Sequence, residues 1–160
     1  MSDNRLKFQA REYLTAYLAE RGMRCTPERY AILDRIFDFP GLFTLDELMD
    51  LLEQNSYHVS RATLYNTMAL LADAALVRKH RFEDRPLCFE RVNPSAQANH
   101  LHQVCRLCGK IRELKAPDIA FVTAGRSAAA FHAEYFALYV YGICSSCQRK
   151  LRRKRSDGSA

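Results

Sequence analysis

"SRATLYNTMALLADAALVRKHRFEDRPLCFERV", residues 60–92, reads as a capped helix followed by a hairpin. Ser60 caps a helix over SRATLYNTMALLADAA, because a serine oxygen just outside the first turn accepts an otherwise orphaned backbone N–H. LVRKHRF and LCFERV then read as two strands around the turn EDRP.

Working outward toward the N-terminus, residues 5–21 place Leu6, Ala10, Tyr13, Leu14, Tyr17 and Leu18 on one helical face, and Gly22 ends that helix. A second helix starts with Thr26 as N-cap and Pro27 at the first position. It runs through Ile32, Leu33, Ile36 and Phe37 to the break at Pro40-Gly41. A third opens on TLDE, where Thr44 and Glu47 form a capping box, and buries Leu45, Leu48, Leu51 and Leu52. Short helices followed by a hairpin is the order of a winged helix-turn-helix, in which the helix before the hairpin enters the DNA major groove. An unrelated helical bundle with a hairpin has the same order. The exposed face of the fourth helix is expected to carry Ser60, Arg61, Thr63, Tyr65, Asn66 and Thr67. Hydroxyl, amide and guanidinium groups suit phosphates and base edges, whereas a merely solvated face tends to carry Glu/Lys pairs.

The 160 residues are 48% apolar, enough for a real core in one domain or two small ones. No apolar run approaches a membrane span and the N-terminal residues lack a signal-peptide pattern, so the expected location is cytoplasmic, with no membrane partner. Six cysteines in that compartment point to metal ligands or free thiols rather than disulfides. The net charge of +6 is concentrated at the end. Without residues 148–160 there remain 18 positive and 17 negative charges, while residues 1–90 carry 12 positive and 14 negative. A basic tail is either an electrostatic ligand for nucleic acid or anionic membrane, or a solvated solubility tail.

Residues 91–100 turn to Pro, Ser, Asn and Gln, the composition of a linker. Beyond them the expected order is strand (about 102–106), strand (110–114), helix (about 117–130) and strand (135–141), a small α/β unit whose apolar YFALYVY suits edge pairing with a second copy. The expected domains are therefore 1–92, a hinge at 93–100, 101–148, and a disordered basic tail at 149–160.

Cys105-x-x-Cys108 and Cys144-x-x-Cys147 are two hooks with 35 residues between them. Each can present two thiolates to one tetrahedral Zn²⁺, and a closed four-cysteine site holds a fold rather than running a reaction. A redox or disulfide pair is the other reading of such spacing. Cys25 and Cys88 are left over, as small apolar side chains or redox-sensing thiols. His100 and His102 alternate onto one strand face, and with Glu90 and Glu113 they form a donor set for Fe²⁺, Zn²⁺ or Mn²⁺. Two histidines at that spacing also occur without a metal.

GMRCTPERYAIL, SRATLYNTMALLADAALVRKHRF, CFE, HLHQVCRLCGKI and YGICSSC follow in order, and together they resemble the ferric uptake regulator (Fur) family of bacterial metal-responsive repressors over about residues 20–148. The resemblance implies an α+β protein with an N-terminal winged-helix DNA-binding domain and a C-terminal α/β dimerisation domain. It implies a homodimer bound to an A·T-rich palindromic operator and a structural zinc at Cys105, Cys108, Cys144 and Cys147. No enzymatic activity is expected on separate grounds: a zinc hydrolase needs an open three-ligand site with a nearby base, and although Glu90, His100 and His102 could be drawn so, no cleft motif supports it. The resemblance implies a regulatory metal at Glu90, His100, His102 and Glu113. It also implies DNA contacts from Arg24 in the minor groove and from Ser60, Arg61, Thr63, Tyr65 and Asn66. Two departures stand out. Leu42 occupies the position where the family places a further histidine ligand, so weak or absent metal dependence is expected. Asn66 stands where an arginine is common. The alternative outside the family's role is a heme- or metal-binding sensor or buffer whose main partner is not DNA, using Cys25, Cys88 or a histidine.

Overall fold

The computed structural model describes residues 3–82, 85–92, 100–115 and 136–157. The chain falls into two compact units, Met1–Gln97 and Ala98–Ala160, and its described residues mix helix and sheet.

In the first unit, α1 (Asp3–Glu20) buries Ala10, Leu14 and Leu18 completely, the i, i+4, i+8 stripe of its sequence. Tyr13, expected on that stripe, is exposed, because it lies one position off the Ala10–Leu14–Leu18 line. The helix ends at Gly22 with φ +62: Met23 N–H reaches the Leu18 carbonyl at 2.9 Å and Gly22 N–H that of Ala19 at 3.1 Å. That Schellman closure needs a left-handed residue, which glycine adopts without steric cost. Next come α2 (Pro27–Ile36), β1 (Phe43–Thr44), α3 (Leu45–Gln54) and α4 (Arg61–Asp73). At α2 Thr26 has extended backbone but makes no side-chain cap bond, and Pro27 supplies the helical φ of the first turn. The α3 capping box forms as the sequence predicts: Thr44 N–H donates to Glu47 Oε2 at 2.7 Å and Glu47 N–H to Thr44 Oγ1 at 3.2 Å. At α4 the Thr63 N–H donates to Ser60 Oγ at 3.0 Å.

The hairpin strands β2 (Val77–His80) and β3 (Cys88–Arg91) follow, and β3 is the central strand of an antiparallel sheet ordered β1-β3-β2. Two-residue β1 was not expected; it is too short to show alternation and exists through its pairing of Phe43 with Phe89 and Thr44 with Cys88. Phe43 and Phe89 turn toward the core with ring centroids 6.0 Å apart. That core joins them to Ile32, Leu33 and Ile36 of α2, Leu48 and Leu52 of α3, and Leu64, Met68 and Leu71 of α4. Truncating one of the buried leucines to alanine costs about 2–5 kcal/mol. The opposite sheet face carries His80 opposite Cys88 and Arg78 opposite Glu90.

In the second unit, β4 (His100–Cys105) lies between antiparallel β5 (Ile111–Lys115) and parallel β6 (Leu138–Gly142). The helix expected near 117–130 and residues 93–99 of the expected linker lie outside the described residues. A final helix, α5 (Ser145–Asp157), replaces the disordered tail expected over 149–160 as far as Asp157. Gln, Lys, Leu and Arg are good helix formers, and Gln148 N–H closes the first turn on the Cys144 carbonyl at 2.9 Å. Among the described residues, no helix is long and apolar enough to cross a membrane.

Candidate metal centres and nucleic-acid interface

The two CxxC hooks meet within the second unit. Cys105 ends β4, Cys108 follows in the turn to β5, and Cys144 and Cys147 bracket the start of α5. Gly109, at φ +70, lets the chain double back so that Cys105 N–H donates to the Lys110 carbonyl at 2.9 Å. On the other side Arg106 N–H donates to the Gly142 carbonyl at 2.8 Å, extending the β4–β6 ladder to the second hook. The four sulfurs lie within 4.8 Å of one another, with Cys108 Sγ 3.7 Å from Cys144 Sγ. Tetrahedral zinc with ~2.3 Å bonds places its sulfurs roughly 3.8 Å apart. The cluster therefore fits a structural zinc, and all four cysteines are free of disulfides.

The thiols are also polarised for this role. The Cys144 N–H donates to Cys105 Sγ at 3.3 Å, and backbone donors led by that one draw the Cys105 thiol down to about 6. Cys144 is lowered in the same way, first by the Cys147 backbone N–H. Cys147, hydrogen-bonded first to Cys108 and then to Cys144, is pushed up to about 12, so without metal it keeps its proton. Zinc binding replaces it.

The four residues expected at a regulatory metal divide between the units. His100, His102 and Glu113 belong to the second. The register sets His102 directly opposite Glu113, with His100 two positions earlier on β4, so all three positions share one sheet face. His102 is 1% exposed and stacks on Tyr139 with centroids 5.8 Å apart, whereas Glu113 is exposed. Glu90 belongs to the first unit, where its carboxylate meets a residue that no motif marked: His80 Nε2 lies 2.8 Å from Glu90 Oε2. His80 is 2% and Glu90 5% exposed. The signal available in the sequence was the period-2 alternation of the hairpin, which sets 80, 88, 78 and 90 on one face. It became specific only once the register was known. Leu42 is half-buried and offers no donor.

On α4, Ser60, Arg61, Tyr65 and Asn66 are exposed, Tyr65 at 55%, and Thr63 is half-buried. Thr67, expected on this face, is 3% exposed and turned into the core beside Met68. Ser60 Oγ is engaged by its own cap and by Thr63 Oγ1 at 2.9 Å, so it organises the helix start. Arg61 makes a 3.2 Å ion pair with Asp46, but both side chains are largely exposed, and such pairs contribute about 0–1 kcal/mol. Its guanidinium is thus readily redirected to a phosphate. Arg24 is exposed just ahead of α2, its carbonyl accepting from Arg29 at 2.6 Å. Of the remaining cysteines, Cys25 is exposed, and Cys88 is a buried thiol donating to the Pro86 carbonyl at 3.4 Å. Burial raises Cys88 above the ordinary thiol range, which keeps it protonated and inert.

The sequence matches the Ferric uptake regulator family over residues 20–141. The peroxide operon regulator of Bacillus subtilis (strain 168) is 30% identical over 134 residues, covering 83% of this chain and 90% of that one. The Vibrio cholerae ferric uptake regulator has a similar structure, with a TM-score of 0.61 and 28% identity over 81% of this chain and 98% of that one. The Helicobacter pylori ferric uptake regulator shares the fold at a TM-score of 0.70 and 16% identity, over 89% and 93% of the two chains.

Proposed function

Because this chain belongs to the ferric uptake regulator family of metal-responsive transcriptional regulators, we propose that it is a homodimeric repressor whose first unit is a winged helix that reads an A·T-rich palindromic operator. The observation that carries this reading is the exposed face of α4, where Arg61, Tyr65 and Asn66 stand out from a helix whose other face is core. Tyr65 suits a thymine methyl or a phosphate, Asn66 an adenine edge, and Arg61 a phosphate. Arg24 supplies a minor-groove cation next to them. The role is regulatory rather than catalytic. Its working location is the cytoplasm, where DNA and reduced thiols coexist.

The dimer is supported by β6, whose outer edge is unpaired among the described residues and which exposes Leu138, Val140 and Tyr141. A long apolar edge of that kind is closed by a second copy. A two-fold dimer carries two recognition helices, which is why the operator is a palindrome. The zinc at Cys105, Cys108, Cys144 and Cys147 keeps that sheet in shape, and a second divalent metal, Fe²⁺, Zn²⁺ or Mn²⁺, binds at Glu90, His100, His102 and Glu113. Metal favours DNA binding only to the extent that it binds the DNA-competent arrangement more tightly than the other. How strong that bias is depends on what the first unit offers besides Glu90, since Leu42 offers nothing.

Selection of duplexes from a random pool by the zinc-loaded protein with Mn²⁺ tests the reading. It should enrich an A·T-rich inverted repeat, and Tyr65→Ala should weaken binding to that repeat by roughly tenfold, the discrimination carried by one good base contact. Failure to enrich any sequence overturns it.

A further inference from the structure

We propose that His80 is a ligand of the regulatory metal, so that the first unit holds the ion with two hairpin side chains, His80 and Glu90. This rests on the regulatory-site reading above and adds to it a residue outside its expected donor set.

The placement follows from the hairpin. In antiparallel register His80 faces Cys88 and Arg78 faces Glu90, which makes His80 and Glu90 diagonal neighbours on the face turned away from Phe43 and Phe89. Both are nonetheless buried, and Phe82 lies within 14° of parallel to the His80 ring at 6.3 Å, fixing its plane. The ring presents Nε2 to the carboxylate at 2.8 Å. A buried polar contact of this kind adds little net stability, because desolvation offsets the attraction, so stability alone is a weak reason for it. Imidazole nitrogen and carboxylate oxygen are, by contrast, the donor types that Fe²⁺, Mn²⁺ and Zn²⁺ share.

The geometry needs little adjustment. Two donors on one ion at about 2.0–2.2 Å each sit roughly 3.0–3.5 Å apart, a few tenths of an ångström beyond the observed separation. Ligation through Nε2 leaves the imidazole N–H on Nδ1, and the ion takes the place of the hydrogen bond that joins Nε2 to the carboxylate. A donor from β2 thereby takes up the role left vacant by Leu42, and metal dependence need not be weak.

Full-length protein with zinc in the four-cysteine site is titrated with Co²⁺ in wild-type, His80→Gln and Glu90→Gln forms. Glutamine at 80 keeps an amide donor for the buried carboxylate but ligates poorly. Wild type should take one labile Co²⁺ per chain, both variants should bind it at least about tenfold more weakly, and X-ray absorption should count one imidazole fewer in His80→Gln. A third variant, His80→Cys, should gain a sulfur-to-cobalt charge-transfer band, a signal that a merely structural His80 cannot produce. Wild-type affinity and imidazole count in His80→Gln, with binding lost in Glu90→Gln, would remove His80 from the site and leave the regulatory reading standing. No charge-transfer band in a folded His80→Cys overturns the proposal as well. No labile Co²⁺ in wild type overturns both.

Discussion

Replacing Cys147 by serine removes one of four sulfurs that lie within 4.8 Å of one another. The magnitude follows from the share of the zinc-binding free energy that one ligand carries. The second unit's buried apolar side chains among the described residues are Val104 and Cys105, and its strands expose Leu114, Leu138, Val140 and Tyr141. Structural zinc contributes about 10–16 kcal/mol in small domains, so one ligand in four corresponds to about 2.5–4 kcal/mol, or roughly 10²–10³ in zinc affinity. Serine is a near-isostere with a far weaker ligand atom, so the change isolates ligation from packing. Competition with a chromophoric chelator measures the affinity, and thermal melting with and without chelator measures the linked stability. The first unit has its own core, from Ala10 to Phe89, and its melting should be preserved. A Cys147→Ser protein that retains zinc with wild-type affinity would refute the reasoning.

Arg61→Ala should lower DNA affinity at every sequence and reduce the slope of log affinity against log salt by about 1 per site, since one phosphate contact is lost; an unchanged slope places Arg61 off the DNA. Changing Arg149, Lys150, Arg152 and Arg153 of α5 to glutamine keeps helix formers in place. If α5 lies along the duplex the slope falls by about 3–4 per chain, from ~0.9 per cation, as expected for a tail that adds phosphate contacts to the few of the first unit; an equal slope makes the tail a solubility device. Ala75 closes α4 at φ +53, with Leu76 N–H on the Leu71 carbonyl at 2.9 Å and Ala75 N–H on that of Ala72 at 3.0 Å. This is the closure that Gly22 makes on α1, but with a side chain that strains it, so Ala75→Gly should stabilise the first unit by about 1 kcal/mol, read as a higher denaturant midpoint.

Much of this was legible in the chain because it is local. The capping box at Thr44 and Glu47, the Ser60 cap, the proline opening α2 and the Ala10–Leu14–Leu18 stripe each depend on residues within two or three turns, and each appears in the structure. The four-cysteine site was legible for a different reason, since thiolates at hook spacing have few other uses. What was missed depends on pairing across distance. Strand β1 exists only because β3 offers Phe43 a partner. Thr67 turns inward because α4 packs along the Leu64–Met68–Leu71 line, and a hydroxyl beside that line reads equally well as exposed. His80 was invisible because its partner is ten residues away, on another strand, and one histidine in a hairpin carries no spacing pattern. The tail, judged by charge alone, hid the helix-forming quality of the same residues.

Metal content per chain, measured after mild and then strong chelation with DNA affinity determined on each sample, bears on the whole mechanism at once. Two metals in the starting protein, one zinc after mild chelation, and operator affinity falling at least about fivefold with the first metal lost is the expected result, the low end of ordinary allosteric coupling. A single tightly held zinc, with operator affinity the same before and after mild chelation, would contradict a metal-responsive regulator and leave a DNA-binding protein held in shape by its cysteines.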